Sequence, residues 1–328
     1  MGPSGCGKTT LLNVLASRPT NASHVSATVL VNGARPSPST FRSLSCFVEQ
    51  EDALVGALTV RETLLFASRL ASTSRLPKRE RLARVDGLLQ SFGLREQADA
   101  LIGTPLRKGI SGGQKRRVGV ASQLITSPKI LFLDEPTSGL DSAASWEVVS
   151  YLRGVARRNN LIVVASIHQP STATFNLFDK LLLLSEGKTH FFGPVSGVGA
   201  HYASLGQEMP LHVNPAEFLL EMVNIDFARH RDASAGVRLK ELQQGWAASA
   251  AARELADAVA ETERRGAGGE VVVETAEKKP SLPSLVVTLL HRSFVKSYRD
   301  VVVYGIRLAM YFGMCTLPPV SATDKRHS

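Results

Sequence analysis

Short continuous apolar runs recur along the chain at residues 45–48 (SCFV), 130–133 (ILFL), 161–167 (LIVVASI) and 181–184 (LLLL). The runs at 130–133 and 161–167, apolar on both faces, read as strands of a parallel sheet with helices on each side, and 181–184 is a further candidate strand. Between them, residues 61–70 and 78–92 repeat Leu, Arg and Glu with a 3.6-residue period, which predicts helices. Residues 10–17 (TLLNVLAS) predict a short helix with Leu11, Leu12, Val14 and Leu15 on its buried side. Residues 27–32 (ATVLVN) predict a strand ending in an Asn-Gly turn. The alternation gives an α/β fold, a parallel sheet flanked by helices.

The pattern changes after residue 224. Residues 226–283 are rich in Ala, Glu, Arg and Gly, and 263–269 look turn-like. This stretch reads as a linker with helix fragments and no second core. From residue 284 on, Leu285, Val286, Leu289, Leu290, Phe294 and Tyr298 are interleaved with His291, Arg292, Lys296 and Arg299. That is a basic amphipathic helix. Residues 301–314 are the nearest approach to a membrane span, but the run is short and carries Arg307. Pro318, Pro319 and the polar tail 323–328 then stop it.

Composition narrows the picture only a little. Apolar residues at 44% and charged residues at 20% of 328 fit a globular chain with one large domain, or a domain plus an appendage. Lys and Arg total 38 against 29 Asp and Glu, a net charge of +9. That balance admits nucleic acid, nucleotide phosphates or an anionic membrane as partner, without choosing among them. Cys6, Cys46 and Cys315 are scattered, which is neither a disulfide framework nor a metal signature and suits reduced thiols. The first residues are rich in Gly and Ser and do not read as a secretory signal.

The chemistry begins at Gly2-Pro3-Ser4-Gly5-Cys6-Gly7-Lys8-Thr9, which fits G-x-x-x-x-G-K-[ST] and runs on into Thr10. Glycines let the backbone turn so that successive N–H groups face phosphate oxygens. The following helix offers its positive end to the same anion. Lys8 supplies a compact charge for the β- and γ-phosphates, and the Thr9 hydroxyl is a hard oxygen ligand for Mg2+. Cys6 sits in this loop, and its alkylation is expected to block nucleotide binding by bulk.

Three further groups follow. Asp134 and Glu135 end the 130–133 run, where open α/β sheets bind ligands. Asp134 is placed to hold Mg2+ through water, and Glu135 to activate the attacking water. Ser111 caps a helix predicted over 115–124, with Gly112, Gly113 and Gln114 baring its start to an anion. An ordinary capped helix after a glycine turn has the same look. His168 follows the 161–167 run and should lie beside Asp134 on the sheet edge, within reach of a γ-phosphate, although a lone His is more often structural. Gln50, after the 45–48 run, offers an amide oxygen to the metal or the water.

Together these spacings resemble the nucleotide-binding domain of ABC transporters. Ile110 to Gln114 is similar to the family signature, and Asp134-Glu135-Pro136-Thr137-Ser138-Gly139-Leu140-Asp141 to its metal-binding strand end and D-loop. His168 matches the switch histidine and Gln50 the Q-loop glutamine. Leu58 to Leu64, Ile167 to Ser171, Phe192-Gly193-Pro194 and Asn214 to Phe218 resemble landmarks of the G subfamily, the white-type half transporters.

The resemblance implies an ATPase domain over 1–225, with a helical subdomain at about 61–122. It also implies a linker at 226–283, then an amphipathic connecting helix and the start of a transmembrane domain at 284–328. Its cofactors would be ATP and Mg2+, with the metal held by Thr9, Asp134 and Gln50. Glu135, His168 and Gln50 would be catalytic. Two such domains would pair head to tail, identical or not. Ser111, Gly112 and Gly113 would then cap the partner's nucleotide, and Asp141 would communicate between the sites.

The resemblance further implies a membrane location, the ATPase domain on the cytosolic side, a transmembrane partner domain and no nucleic acid. In the family a strand feeds the phosphate loop and an aromatic residue stacks on adenine ahead of it. On that comparison the chain is expected to be cut at both ends, to bind ATP poorly by itself and to be unable to transport alone. A soluble ABC ATPase uncoupled from transport, or an inactive fragment, are the alternatives.

Overall fold

The computed structural model describes residues 1–20, 24–50, 53–71, 76–104, 107–224, 235–266, 280–299 and 301–316. Asn21-Ala22-Ser23, which fits the N-x-[ST] glycosylation pattern, lies outside the described residues, as do the Pro318-Pro319 pair and the polar tail. The first half runs α1 (Lys8–Leu15), α2 (Pro38–Leu44), β1 (Ser45–Val48), α3 (Val60–Leu70), α4 (Lys78–Ser91), α5 (Gly112–Gln123), β2 (Ile130–Leu133) and α6 (Ser142–Asn159). It continues through β3 (Ile162–Ala165), α7 (Thr172–Phe175), β4 (Lys180–Ser185), β5 (Lys188–Pro194), α8 (Val198–Ser204) and α9 (Pro215–Val223). The last helices are α10 (Ala235–Ala248), α11 (Ala250–Gly266), α12 (Leu282–Arg299) and α13 (Val301–Thr316).

Three of the predicted runs form one parallel sheet in the order β1-β2-β3. Ser45 pairs with Ile130 and Ile130 with Ile162, and at the far end Val48, Leu133 and Ala165 share one level. All three strands therefore stop together, and whatever follows them meets along one edge.

The period-two alternation of a strand sends β2 into two cores at once. Leu131 and Leu133 are fully buried against α3 to α6, with Val60, Leu64, Leu89 and Val118. Phe132 faces the other way, onto Leu12 of α1 and Phe41 of α2. Each buried Leu contributes about 1.5–3 kcal/mol. Capping boxes open α3 (Thr59 with Glu62) and α5 (Ser111 with Gln114), so the starts of both helices are fixed by local chemistry.

The run at 181–184 behaves differently. It forms β4, which pairs antiparallel with β5 in a separate two-stranded sheet. The turn is Glu186-Gly187, both at positive φ (47° and 72°), the backbone that a two-residue hairpin requires. This hairpin carries its own core. Leu183, Phe191, Tyr202, Leu219, Leu239 and Trp246 are buried in it.

Leu239, Leu242 and Trp246 belong to α10, so part of the stretch read as a linker is core. Residues 263–266 are likewise the end of helix α11 rather than a turn, because the Ala- and Glu-rich run before them has strong helix propensity. No strand forms over 27–32. Val31 and Ala34 make one isolated bridge around Asn32-Gly33, with no adjacent strand to extend it. In α1 only Leu12 of the four predicted apolar positions is fully buried.

An apolar cavity of about 590 Å3 separates the two sheets, lined by Ile162, Val164, Leu181, Leu182, Leu11 and Met1 among others. Met1 lies along β4: its amine donates to Leu182 O (2.7 Å), and Leu184 N–H donates to Met1 O (2.9 Å). Burial pushes that amine down to about 6.

At the other end, α12 docks on α3. Arg299 donates to both carboxylate oxygens of Glu62 (2.6 and 2.8 Å) and to Ala57 O (3.2 Å). Burial alone would raise the Glu62 pKa, but the hydrogen bonds from Arg299 and Thr59 outweigh it and hold the carboxyl below its ordinary value. Leu282, Val286, Leu290, Phe294 and Tyr298 on α12 stay exposed. No described helix is long and apolar enough to cross a membrane.

Candidate functional site

The phosphate-type loop rests on glycine geometry. Gly7 caps α1 at φ 97°, and Gly5 has φ 75°. A Cβ on Gly2 would come within 2.1 Å of Leu184 O, so only glycine lets the loop lie against β4. No side chain caps α1, which leaves its first N–H groups facing the loop. Lys8 Nζ donates to the carbonyls of Gly2 (2.9 Å) and Pro3 (2.8 Å), folded back across the loop that it would share with an anion. Ser4, Gly5, Thr9 and Thr10 are exposed on the open side. Cys6 is not: it is buried with its sulfur against Gly2, so burial opposes the alkylation expected from its place in the motif.

The sheet edge supplies the acids. Asp134 continues β2 by donating its N–H to Val48 O (3.0 Å), which buries its side chain. Thr9 Oγ1 donates to Asp134 Oδ1 at 3.2 Å, joining loop and sheet edge across a sequence separation of 125. Glu135 sits at φ 43°, a strained value for a residue with a side chain. Gln50 Nε2 donates to Glu135 Oε2 (3.1 Å) and to Ser138 Oγ (3.2 Å).

Thr9 and Gln50 thus meet Asp134 and Glu135 in one region, with Lys8 next to Thr9 at the start of α1. Two hard oxygens, from Thr9 and Asp134, face each other there. No three His, Cys, Asp or Glu side chains converge among the described residues. A metal here would take its other ligands from water and phosphate, which is the habit of Mg2+.

Ser111, Gly112, Gly113, Gln114 and Asp141 form a second group. Ser111 Oγ accepts from Gln114 N–H (3.2 Å), and Gln114 Oε1 accepts from Ser111 N–H (2.9 Å). A Cβ on Gly112 would lie 3.3 Å from Leu140, and one on Gly113 would lie 3.2 Å from Ala144. These glycines therefore abut the turn that carries Asp141, whose Oδ1 accepts from Ala144 N–H (2.8 Å) as the cap of α6. His168 lies past the end of β3 and is exposed.

Two residues were not singled out from sequence. Arg116 lies in the Lys-Arg-Arg run that follows the signature-like stretch and was given no role of its own there, yet it is 4% exposed. Its guanidinium donates to Glu49 O (2.7 Å), Gln50 O (3.2 Å) and Asp134 O (3.0 Å), tying the ends of β1 and β2 to α5. The helical period was a usable signal, since four residues on lies buried Val120. Ser166 is the other, and nothing local marked it. Its hydroxyl donates to Asp134 Oδ1 (2.5 Å) and accepts from Glu135 N–H (2.8 Å).

Comparison with known proteins agrees with this geometry. Residues 1–138 match the ABC transporter family and residues 168–286 the ABC-2 type transporter family. The chain is 37% identical over 327 residues to ABC transporter G family member 11 of Arabidopsis thaliana, covering 95% of this chain and 46% of that protein. It is 41% identical over 226 residues to the broad substrate specificity ATP-binding cassette transporter ABCG2 of Sus scrofa, covering 69% of this chain and 34% of that protein.

The structure of cbiO1 from Clostridium perfringens, part of the ABC transporter complex cbiONQ, superposes with a TM-score of 0.52 at 25% identity. That superposition covers 63% of this chain and 80% of cbiO1. The chain spans about half or less of the length of the curated relatives it matches. A glycine loop ahead of α1, an acidic strand end and these likenesses place the chain in the ABC transporter family, on its G branch.

Proposed function

We propose that this chain binds ATP with Mg2+ and hydrolyses it, and that hydrolysis drives export by a G-family transporter of which the chain forms the ATPase part. The meeting of Thr9 and Gln50 with Asp134 and Glu135 at one sheet edge, with Lys8 next to Thr9, carries this reading. Lys8 exchanges its loop carbonyls for β- and γ-phosphate oxygens. Thr9 and Asp134, with Gln50 beside them, would hold Mg2+, which supplies charge neutralisation between those oxygens. Glu135 orients the attacking water and accepts its proton. His168 reaches the γ-phosphate from the end of β3.

A second ATPase domain, identical or related, completes the site by presenting its own Ser111, Gly112 and Gly113 to the γ-phosphate. Asp141 relays between the two sites. The exposed apolar stripe of α12, with Arg292 and Lys296, favours a membrane-coupled role over a soluble ATPase. On this reading the ATPase part faces the cytosol and couples to a transmembrane domain.

The test is titration of the purified chain with a fluorescent ATP analogue and Mg2+, followed by phosphate release. Lys8→Ala is expected to weaken binding about tenfold or more, the loss of charge-assisted hydrogen bonds. Glu135→Gln should keep binding and slow hydrolysis by about 10²–10⁴. Binding that is indifferent to Lys8→Ala would sink the proposal.

A further inference from the structure

We infer that Ser166 is a positioning residue of the nucleotide site, acting through both acids at once; the inference rests on the reading of Asp134 and Glu135 given above. Ser166 is the first residue beyond β3, and its N–H still donates to Leu133 O (2.9 Å), so the ladder holds its backbone in place. Its side chain is buried. The hydroxyl then does two things that one oxygen can do together: it accepts from the backbone N–H of Glu135 (2.8 Å) and donates to Asp134 Oδ1 (2.5 Å).

The second bond has the length of a strong hydroxyl–carboxylate contact. Oδ1 of Asp134 thereby receives two hydroxyls, from Ser166 and from Thr9. That fixes the carboxylate plane and directs the other oxygen. The first bond holds the N–H of Glu135, the residue at φ 43° that no helix or strand stabilises. Removing the hydroxyl frees the Asp134 side chain to rotate and leaves the Glu135 N–H without its acceptor. Ser166 touches neither nucleotide nor metal in this scheme. It sets where Asp134 and Glu135 point.

An isosteric pair separates the hydroxyl from packing. Ser166→Thr keeps the hydroxyl and adds a methyl; Ser166→Val has the same shape without the hydroxyl. Circular dichroism melting establishes that each is folded, and Ser166→Ala replaces the Val variant if that one is not. The readout is the Mg2+ concentration that gives half-maximal binding of the fluorescent ATP analogue.

The Val (or Ala) variant is expected to need about tenfold more Mg2+, the usual cost of losing a group that orients a metal ligand. The Thr variant should return most of that loss. A merely structural role would instead weaken binding equally with and without Mg2+. Equal loss in Thr and Val, or unchanged Mg2+ dependence in a folded Val variant, overturns the inference while leaving the ATP-site reading standing. An unaltered chain whose nucleotide binding ignores Mg2+ overturns both.

Discussion

The parallel sheet β1-β2-β3 and the hairpin β4-β5 both contain a run of four apolar residues, in β2 and in β4, yet they serve different ends. β2 is buried on both of its faces and all three parallel strands end at one level, so their trailing residues Gln50, Asp134, Glu135 and Ser166 converge. The hairpin turns back on itself at Glu186-Gly187 and spends its apolar face on α8, α9 and α10. It contributes no acid to the site. Its role is support: Met1 and Gly2 lie against Leu182 and Leu184, while α1, only a few residues on, packs beneath Phe132 of the other sheet. The phosphate loop is strung between two cores, and its shape depends on both.

That comparison is broken most directly by opening a cavity in either core. Leu131→Ala and Leu183→Ala each remove a fully buried side chain and should each cost about 2–5 kcal/mol in denaturant unfolding. Hydrogen exchange should localise the first loss to the parallel sheet and the second to the hairpin. Leu183→Ala should also weaken nucleotide binding through the Met1 and Gly2 anchor, although no β4 residue lines the open side of the loop. Full affinity in a folded Leu183→Ala variant would show that the hairpin is not part of the loop's support.

A pH series sharpens the same contrast with a smaller effect. Burial lowers the pKa of both His190 and His201 from the ordinary 6.5, and both sit in the hairpin region, His201 against Phe191 and Trp246. A depressed pKa means that the unfolded chain takes up protons more readily, so stability is full above about 6.5 and declines as pH falls through and below it. Thermal melting should drop between about pH 7 and 5, with exchange protection lost first in β4-β5 and α10. Loss beginning instead in the parallel sheet would contradict the assignment of the two cores.

The smallest effect is expected at the surface seam between α3 and α12. Glu62→Gln breaks the ion pair with a third-exposed Arg299 and should cost at most about 1 kcal/mol. Because the Glu62 carboxyl is held below its ordinary pKa, that contribution is present above the usual Glu range and fades as pH falls through the lowered value. Hydrogen exchange in α12 should accelerate in the variant if the pair holds that helix in place.

Much of this was legible from sequence where the signal is local. The capping boxes at Thr59 and Ser111 use residues three apart, and β1 and β2 coincide with their apolar runs. The loop motif at Gly2 to Thr9 and the acids after β2 fell where spacing put them. The misreadings share a different cause. The 27–32 segment has strand composition but finds only a single bridge, Val31 to Ala34. The 181–184 run is a strand as read, and nothing in it distinguishes a parallel from an antiparallel partner. Residues of α10 looked like linker because their apolar positions Leu239, Leu242 and Trp246 are sparse, and only contact with β5 makes them core.

The sequence by itself determined the chemistry on offer: a glycine loop with Lys8 and Thr9, two acids after a buried strand, a capped glycine start to α5. These are short-range patterns fixed by backbone sterics and hydrogen-bond valence, and they keep their meaning wherever the chain puts them. Only the tertiary structure decided that Thr9 meets Asp134 across 125 residues, that Arg116 joins the ends of β1 and β2, and that the Ser166 hydroxyl holds both acids. Those pairings follow from strand order and register, which arise from burying whole faces together, and no single stretch of sequence carries that information.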